Sequence, residues 1–121
     1  MSAEPLNRRL QIEENGEITL VRFTDRGLLN EQTIQEIGKE LYRLVDEQGR
    51  KKIVLSFGNA EYFPSLLLGK ITTLNKKAQA AGGKLVLCDL GELAEDLPSV
   101  VRRFLEIVEN EQAANEAFAK A

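Results

Sequence analysis

Apolar and polar positions alternate after a short polar lead. Leu10, Ile12 and Glu14 lead to Asn15-Gly16, and Ile18, Leu20, Val21 and Phe23 follow. A period of two marks a half-buried strand, and Asn-Gly between two such runs is a two-residue hairpin signal. An antiparallel hairpin ending near Asp25-Arg26-Gly27 is expected. The period then changes. Ile34, Ile37, Leu41, Leu44 and Val45 recur at helical spacing, with Glu36, Lys39, Glu40, Arg43 and Glu47 on the other side. Asn30 is placed to cap this helix and Gly49 to end it. Lys51 and Lys52 lead into Ile53-Val54-Leu55-Ser56-Phe57, a short apolar run closed by Gly58-Asn59. Such a run reads as a strand covered on both faces.

Pro64-Ser65 opens a second helix, in which Leu67, Ile71, Leu74, Ala78 and Ala81 form one stripe. Gly82-Gly83 stops it, and Lys84-Leu85-Val86-Leu87-Cys88 reads as another buried strand. Glu92 to Leu97 reads as a short helix broken by Pro98. Phe104, Leu105, Ile107 and Val108 fit a last edge strand or the continuation of a helix from Val100, and Ala113 to Ala119 a final helix. Strand-helix-strand alternation predicts parallel pairing with right-handed crossovers, and the opening hairpin adds an antiparallel edge. The fold class is α/β, a sandwich on a four- or five-stranded mixed sheet.

Composition narrows the function. The chain has 121 residues, the size of one domain. It contains no histidine, which excludes Ser-His and Cys-His nucleophiles and histidine-ligated metals. A single cysteine, Cys88, allows no internal disulfide and fits a reducing compartment. A net charge of −3 is no footprint for nucleic acid. No run is long enough for a membrane helix, and the N-terminus lacks the apolar stretch of a signal peptide, so a cytoplasmic protein is expected. With no P-loop, nucleophile elbow or metal cluster, the chain reads as a non-enzyme without cofactors.

In open α/β sheets, function gathers at the carboxyl ends of strands, near helix N-termini. The candidate here is the loop Asn59-Ala60-Glu61-Tyr62-Phe63-Pro64-Ser65-Leu66. Ser65 reads as an N-cap whose hydroxyl satisfies a backbone N–H, so its loss would cost about 1 kcal/mol. A helix N-terminus also tolerates a phosphate on Ser65, and the two readings are compatible. Phe63 is expected in the core. Tyr62, Phe63 and Leu66 cannot all turn inward around a proline-fixed turn, which leaves room for a partner-facing apolar patch. Lys70, Thr73, Lys76 and Lys77 mark a solvated helix face, with an anion site as the sharper alternative. Cys88 reads as buried and inert. Asp89, Glu92, Glu95 and Asp96 read as a solvated acidic loop rather than a cation site, since they lack EF-hand spacing.

The order of elements, the central IVLSFGNAEYFPSLLLGK, the strand AGGKLVLCDL and the tail EIVENEQAANEAF together resemble the STAS domain. That domain is found in bacterial anti-sigma factor antagonists and sulphate-transporter tails. The resemblance runs from Leu10 to Phe118 and implies a single-domain STAS-like sandwich over residues 1–121, with helices packed mainly on one face. In the family the middle strand reads like L-D-L-S and is followed by a loop D-S-[ST]-G-L-G, whose second hydroxyl residue a kinase-like anti-sigma factor phosphorylates. Counted back from Gly82-Gly83 without gaps, Leu68-Gly69 matches the L-G, Pro64 stands at the loop aspartate, Ser65 at the first hydroxyl and Leu66 at the phosphorylated position. A one-residue shift places Ser65 on that position, but it needs a gap and loses the L-G match. Ser56 replaces the strand aspartate.

The resemblance therefore implies a non-enzymatic regulator that binds a kinase-like anti-sigma partner, with Ser65 as the one phosphorylation candidate and a lost or altered switch. The implied contact surface is Tyr62, Phe63, Pro64, Ser65, Leu66, Gly69, Lys70 and Thr73. The alternative is a structural module in which the same loop serves homodimerisation or assembly of a signalling scaffold.

Overall fold

The computed structural model describes residues 10–23, 31–58 and 63–119. β1 (Leu10–Asn15) pairs antiparallel with β2 (Ile18–Phe23), Asn15 opposite Ile18. The two-residue turn is thus Gly16-Glu17, one position later than the Asn-Gly pair suggested. Gly16 takes it at φ 62°, the left-handed conformation that glycine adopts without a Cβ clash. The cap assigned to Asn30 and the turn at Asp25-Arg26-Gly27 lie outside the described residues.

Helix α1 (Glu31–Asp46) follows, then β3 (Lys52–Ser56), α2 (Ser65–Ala80) and β4 (Lys84–Cys88). Both helices end as their glycines predict. Gly49 sits at φ 70° and Gly82 at φ 91°. The Gly83 N–H donates to the Ala78 carbonyl at 2.8 Å and the Gly82 N–H to that of Gln79 at 3.0 Å, a Schellman closure. A 3₁₀ turn (Gly91–Asp96) precedes α3 (Ser99–Phe104), β5 (Glu106–Ile107) and α4 (Glu111–Ala119). The last strand is only two residues long. Phe104 ends a helix and Leu105 is buried among the core side chains, so the apolar Phe104–Val108 run divides between two elements. α4 begins at Glu111 because the Asn110 side chain accepts the Ala113 N–H at 2.9 Å, a cap that the alanine-rich pattern did not reveal.

The sheet order is β1-β2-β3-β4-β5, with every pair after the first parallel. Alternation splits the side chains cleanly. Val21, Phe23, Ile53, Leu55, Phe57, Leu85 and Leu87 join Ile34, Ile37, Leu41, Leu67, Ile71 and Leu74 of α1 and α2 in the larger core. Leu20, Val54, Val86 and Cys88 face Ala114 and Phe118 of α4 on the other side. The runs 53–55 and 85–87 are adjacent and no more than 1% exposed, as expected of strands covered on both faces. No helix among the described residues is long and apolar enough to cross a membrane.

Candidate protein-interaction site

The loop leaves β3 through Phe57 and Gly58 and rejoins the described chain at Phe63; Tyr62 lies outside the described residues. Phe63 is half-buried, its ring centroid 5.3 Å from that of Phe57, which in turn stacks on Phe23 at 4.7 Å. This line of three rings ties the loop's far end to the core. Pro64 is extended (φ −66°, ψ 143°) and half-buried, and its carbonyl accepts the Leu68 N–H at 3.2 Å.

Ser65 is not the cap that the sequence suggested. Pro64 holds that position, and no side chain caps the helix. Ser65 is the first helical residue, exposed, because proline's fixed φ and extended ψ already turn the chain into the helix. Its hydroxyl makes no hydrogen bond to any described residue.

The inward stripe of α2 is Leu67, Ile71, Leu74 and Ala78, all fully buried, whereas Ala81 is exposed at the helix end. Leu66 lies off that stripe and is 36% exposed. Gly69, Thr73 and Lys76 continue from it at helical spacing, all exposed, so one outward row runs down the helix. A Cβ on Gly69 would meet nothing within 4 Å. Lys70 and Lys77 are corrections to the solvated face. The Lys70 stem lies over Gly38 of α1, where a Cβ would come within 2.8 Å of Lys70 Cδ. Lys77 pairs with Asp46 at 2.9 Å and stands 5.3 Å from the Tyr42 ring centroid. Both lysines belong to the seam between α1 and α2: the Lys70 stem packs over Gly38, and the Lys77 ammonium is held by Asp46 and the Tyr42 ring.

Beside the loop's root lies a polar row that the sequence reading missed. Register places Arg22, Ser56 and Cys88 side by side at the carboxyl ends of β2, β3 and β4, on the face that α4 covers. The Ser56 hydroxyl donates to Asp89 Oδ2 at 2.9 Å. Asp89 has φ 58°, the left-handed region unusual for a residue with a Cβ, and its N–H donates to the Glu109 carbonyl. A carboxylate thus comes to Ser56 from the neighbouring strand. Arg22 donates twice to Glu111, at 2.8 and 2.9 Å, and once to Glu13 at 2.6 Å. The Arg22 guanidinium holds the Glu111 carboxyl below the usual carboxylate range. Burial, with the Asp89 charge adding to it, pushes the Cys88 thiol up to about 12, consistent with an inert cysteine. The legible signal was an arginine within the apolar strand ITLVRF and a serine ending IVLS, which register alone brings together. Among the described residues no cluster that includes Asp89, Glu92, Glu95 or Asp96 is arranged to hold a metal ion.

A family model for the STAS domain matches residues 9–111. No curated protein matches by sequence. Among solved structures, a Thermotoga maritima protein assigned as an anti-sigma factor antagonist aligns with a TM-score of 0.75 at 22% identity, covering 94% of this chain and 97% of the other. The anti-sigma factor antagonist SpoIIAA, a Bacillus cell-fate determinant solved both unphosphorylated and phosphorylated, aligns in its unphosphorylated form with a TM-score of 0.67 at 14% identity, over 93% and 98% of the two chains. A chain of the stressosome, a signal integration and transduction hub, aligns with a TM-score of 0.63 at 15% identity, over 90% and 96%. At these identities the likeness is one of fold.

Proposed function

Because the chain belongs to the STAS domain family, we propose that it is an anti-sigma factor antagonist, a non-enzymatic regulator that binds a kinase-like anti-sigma protein without a phosphorylation switch. The contact surface is the loop from Tyr62 through Ser65 together with the outward row Leu66, Gly69 and Thr73, bordered by the Lys70 ammonium. The observation that carries this reading is Leu66. Counted back from Gly82-Gly83 without gaps, it falls where the resemblance puts the family's phosphorylatable hydroxyl; it is exposed on the first turn of α2 and offers a methyl-rich tip that no kinase can esterify. An exposed apolar side chain gains free energy by losing water in a protein contact.

Ser65 needs separate argument, since its hydroxyl is free. What disfavours it as a substrate is the preceding proline, which fixes the backbone a kinase would have to reshape, and the absence of the flanking aspartates at positions 56 and 64. Asp89 approaches Ser56 from the next strand, but its carboxylate is engaged by the Ser56 hydroxyl. The test is incubation with the kinase-like ATPase of the source cell and ATP, followed by intact-mass measurement of the complex. The expected product is a complex in which this chain keeps its unmodified mass. A chain heavier by one phosphate, mapped to Ser65, overturns the reading. Likeness to a stressosome chain favours a second use of the same surface, assembly into a signalling scaffold. In that case the chain self-associates without the ATPase.

A further inference from the structure

The opposite end of the sheet from the loop holds a cavity of about 380 Å³, lined by Glu17, Gly49, Arg50, Lys51, Lys52 and Gly82. It opens where the β1–β2 turn, the lead into β3 and the turn after α2 meet. Its side chains are three consecutive cations and one carboxylate, in a chain whose net charge is −3. Cations beyond helix C-termini ordinarily serve the last carbonyls. Here backbone donors already do so at both helices. The Arg50 N–H donates to the Leu44 carbonyl at 2.7 Å, and the Gly82 and Gly83 N–H groups donate to Gln79 and Ala78. Closure of the helix ends therefore does not use these positive side chains.

Two of the three cations are held in place. Arg50 donates from Nε to the buried Thr19 hydroxyl and from Nη2 to the Gly16 carbonyl at 2.9 Å, which leaves Nη1 unengaged. Lys52 pairs with Glu17 at 2.7 Å. Lys51 is exposed, and its Nζ makes no hydrogen bond or ion pair with any described residue. It stands 3.8 Å from where a Cβ of Gly82 would lie, against the cavity wall. That wall is firm. The Lys84 N–H donates to the Lys51 carbonyl at 2.9 Å, and a Cβ on Gly83 would fall 2.0 Å from the same oxygen, so the two turns touch directly.

We propose that this cavity binds a small phosphate-bearing anion of about diphosphate charge. A fixed guanidinium with Nη1 unengaged, in the same cavity as an unpaired ammonium, offers two positive donors to phosphate oxygens. The volume lies at the small end of ligand sites, roughly 300–1,000 Å³. No lining residue has an apolar side chain beyond the stems of the cations and Glu17, so an apolar ligand would gain little there. The site lies away from the proposed partner surface, and its test is independent of that reading.

The experiment is titration of the ¹⁵N-labelled chain with pyrophosphate at about 0.15 M salt, where scattered surface charges are largely screened. The expected result is saturable shifts of the Gly49, Lys51 and Gly82 amides. Lys51→Gln is expected to weaken binding about tenfold with an unchanged melting temperature, and Lys76→Gln, outside the cavity, to leave it unchanged. A parallel titration with ADP separates a bare phosphate site from one that also takes a nucleoside: either ligand saturating the same amides supports the proposal. Shifts that never saturate, that spread to Lys76, or that persist unweakened in Lys51→Gln overturn it.

Discussion

Gly69 separates what the fold needs from what a partner would need. It lies inside α2, four residues past the helix start, where glycine costs backbone entropy that alanine does not. In a helix interior the difference is about 0.8–1.0 kcal/mol. A Cβ at position 69 would meet nothing within 4 Å, so no packing strain offsets that gain. Unfolding entropy of roughly 2.1 cal/mol/K per residue gives about 0.25 kcal/mol/K for a chain of this length. Gly69→Ala should therefore raise the melting temperature by about 3–4 °C. The same methyl stands on the outward row between Leu66 and Thr73, so a partner packed closely there would lose affinity. The assay is a thermal melt of both proteins, followed by their titration against the proposed kinase-like partner. A lower melting temperature would refute the structural reasoning, because it would mean that the face is not open. A higher melting temperature with undiminished binding would remove Gly69 from the contact.

Ser65→Ala should change stability by less than about 0.5 kcal/mol, since the hydroxyl is exposed and caps nothing; a denaturant titration showing a loss near 1 kcal/mol would restore the capping role. Glu111 has its carboxyl depressed by Arg22, so its contribution is present above the ordinary carboxylate range and is lost as pH falls through the lower folded value. Glu111→Gln should thus be less stable at neutral pH and show a shallower acid-side loss in melts recorded from neutral pH downward. Cys88, fully buried with its thiol pushed up to about 12, should resist iodoacetamide in the folded protein at mildly alkaline pH and react promptly once denaturant is added.

Much of the fold was legible because period and punctuation agree. Ile53–Leu55 and Leu85–Leu87 are unbroken apolar runs between glycines, and no element but a doubly covered strand accommodates them. Gly49 and Gly82 follow the last helical turns and take the left-handed conformation expected of helix stops. Of the proposed interaction face, what was legible is that Leu66 falls off the inward stripe and is exposed. What failed did so for reasons beyond local sequence. Ser65 reads as a cap by composition, but Pro64 sets the dihedrals that decide where the helix begins. Lys70 and Lys77 read as solvated until α1 is placed beside α2 and gives their stems something to cover. Arg22, Ser56, Asp89 and Glu111 are separated along the chain and meet only through strand register and the return of α4.

In the proposed function, the exposed apolar side chain of Leu66 anchors the partner. The direct measurement is calorimetric titration of the kinase-like ATPase with the parent chain and with Leu66→Asp. Leu66 is partly exposed and off the core stripe, so the variant should melt within a few degrees of the parent. A charge carried into an apolar contact should weaken binding tenfold or more, about 1.4 kcal/mol at the least. Equal affinities for parent and variant would contradict that anchoring role.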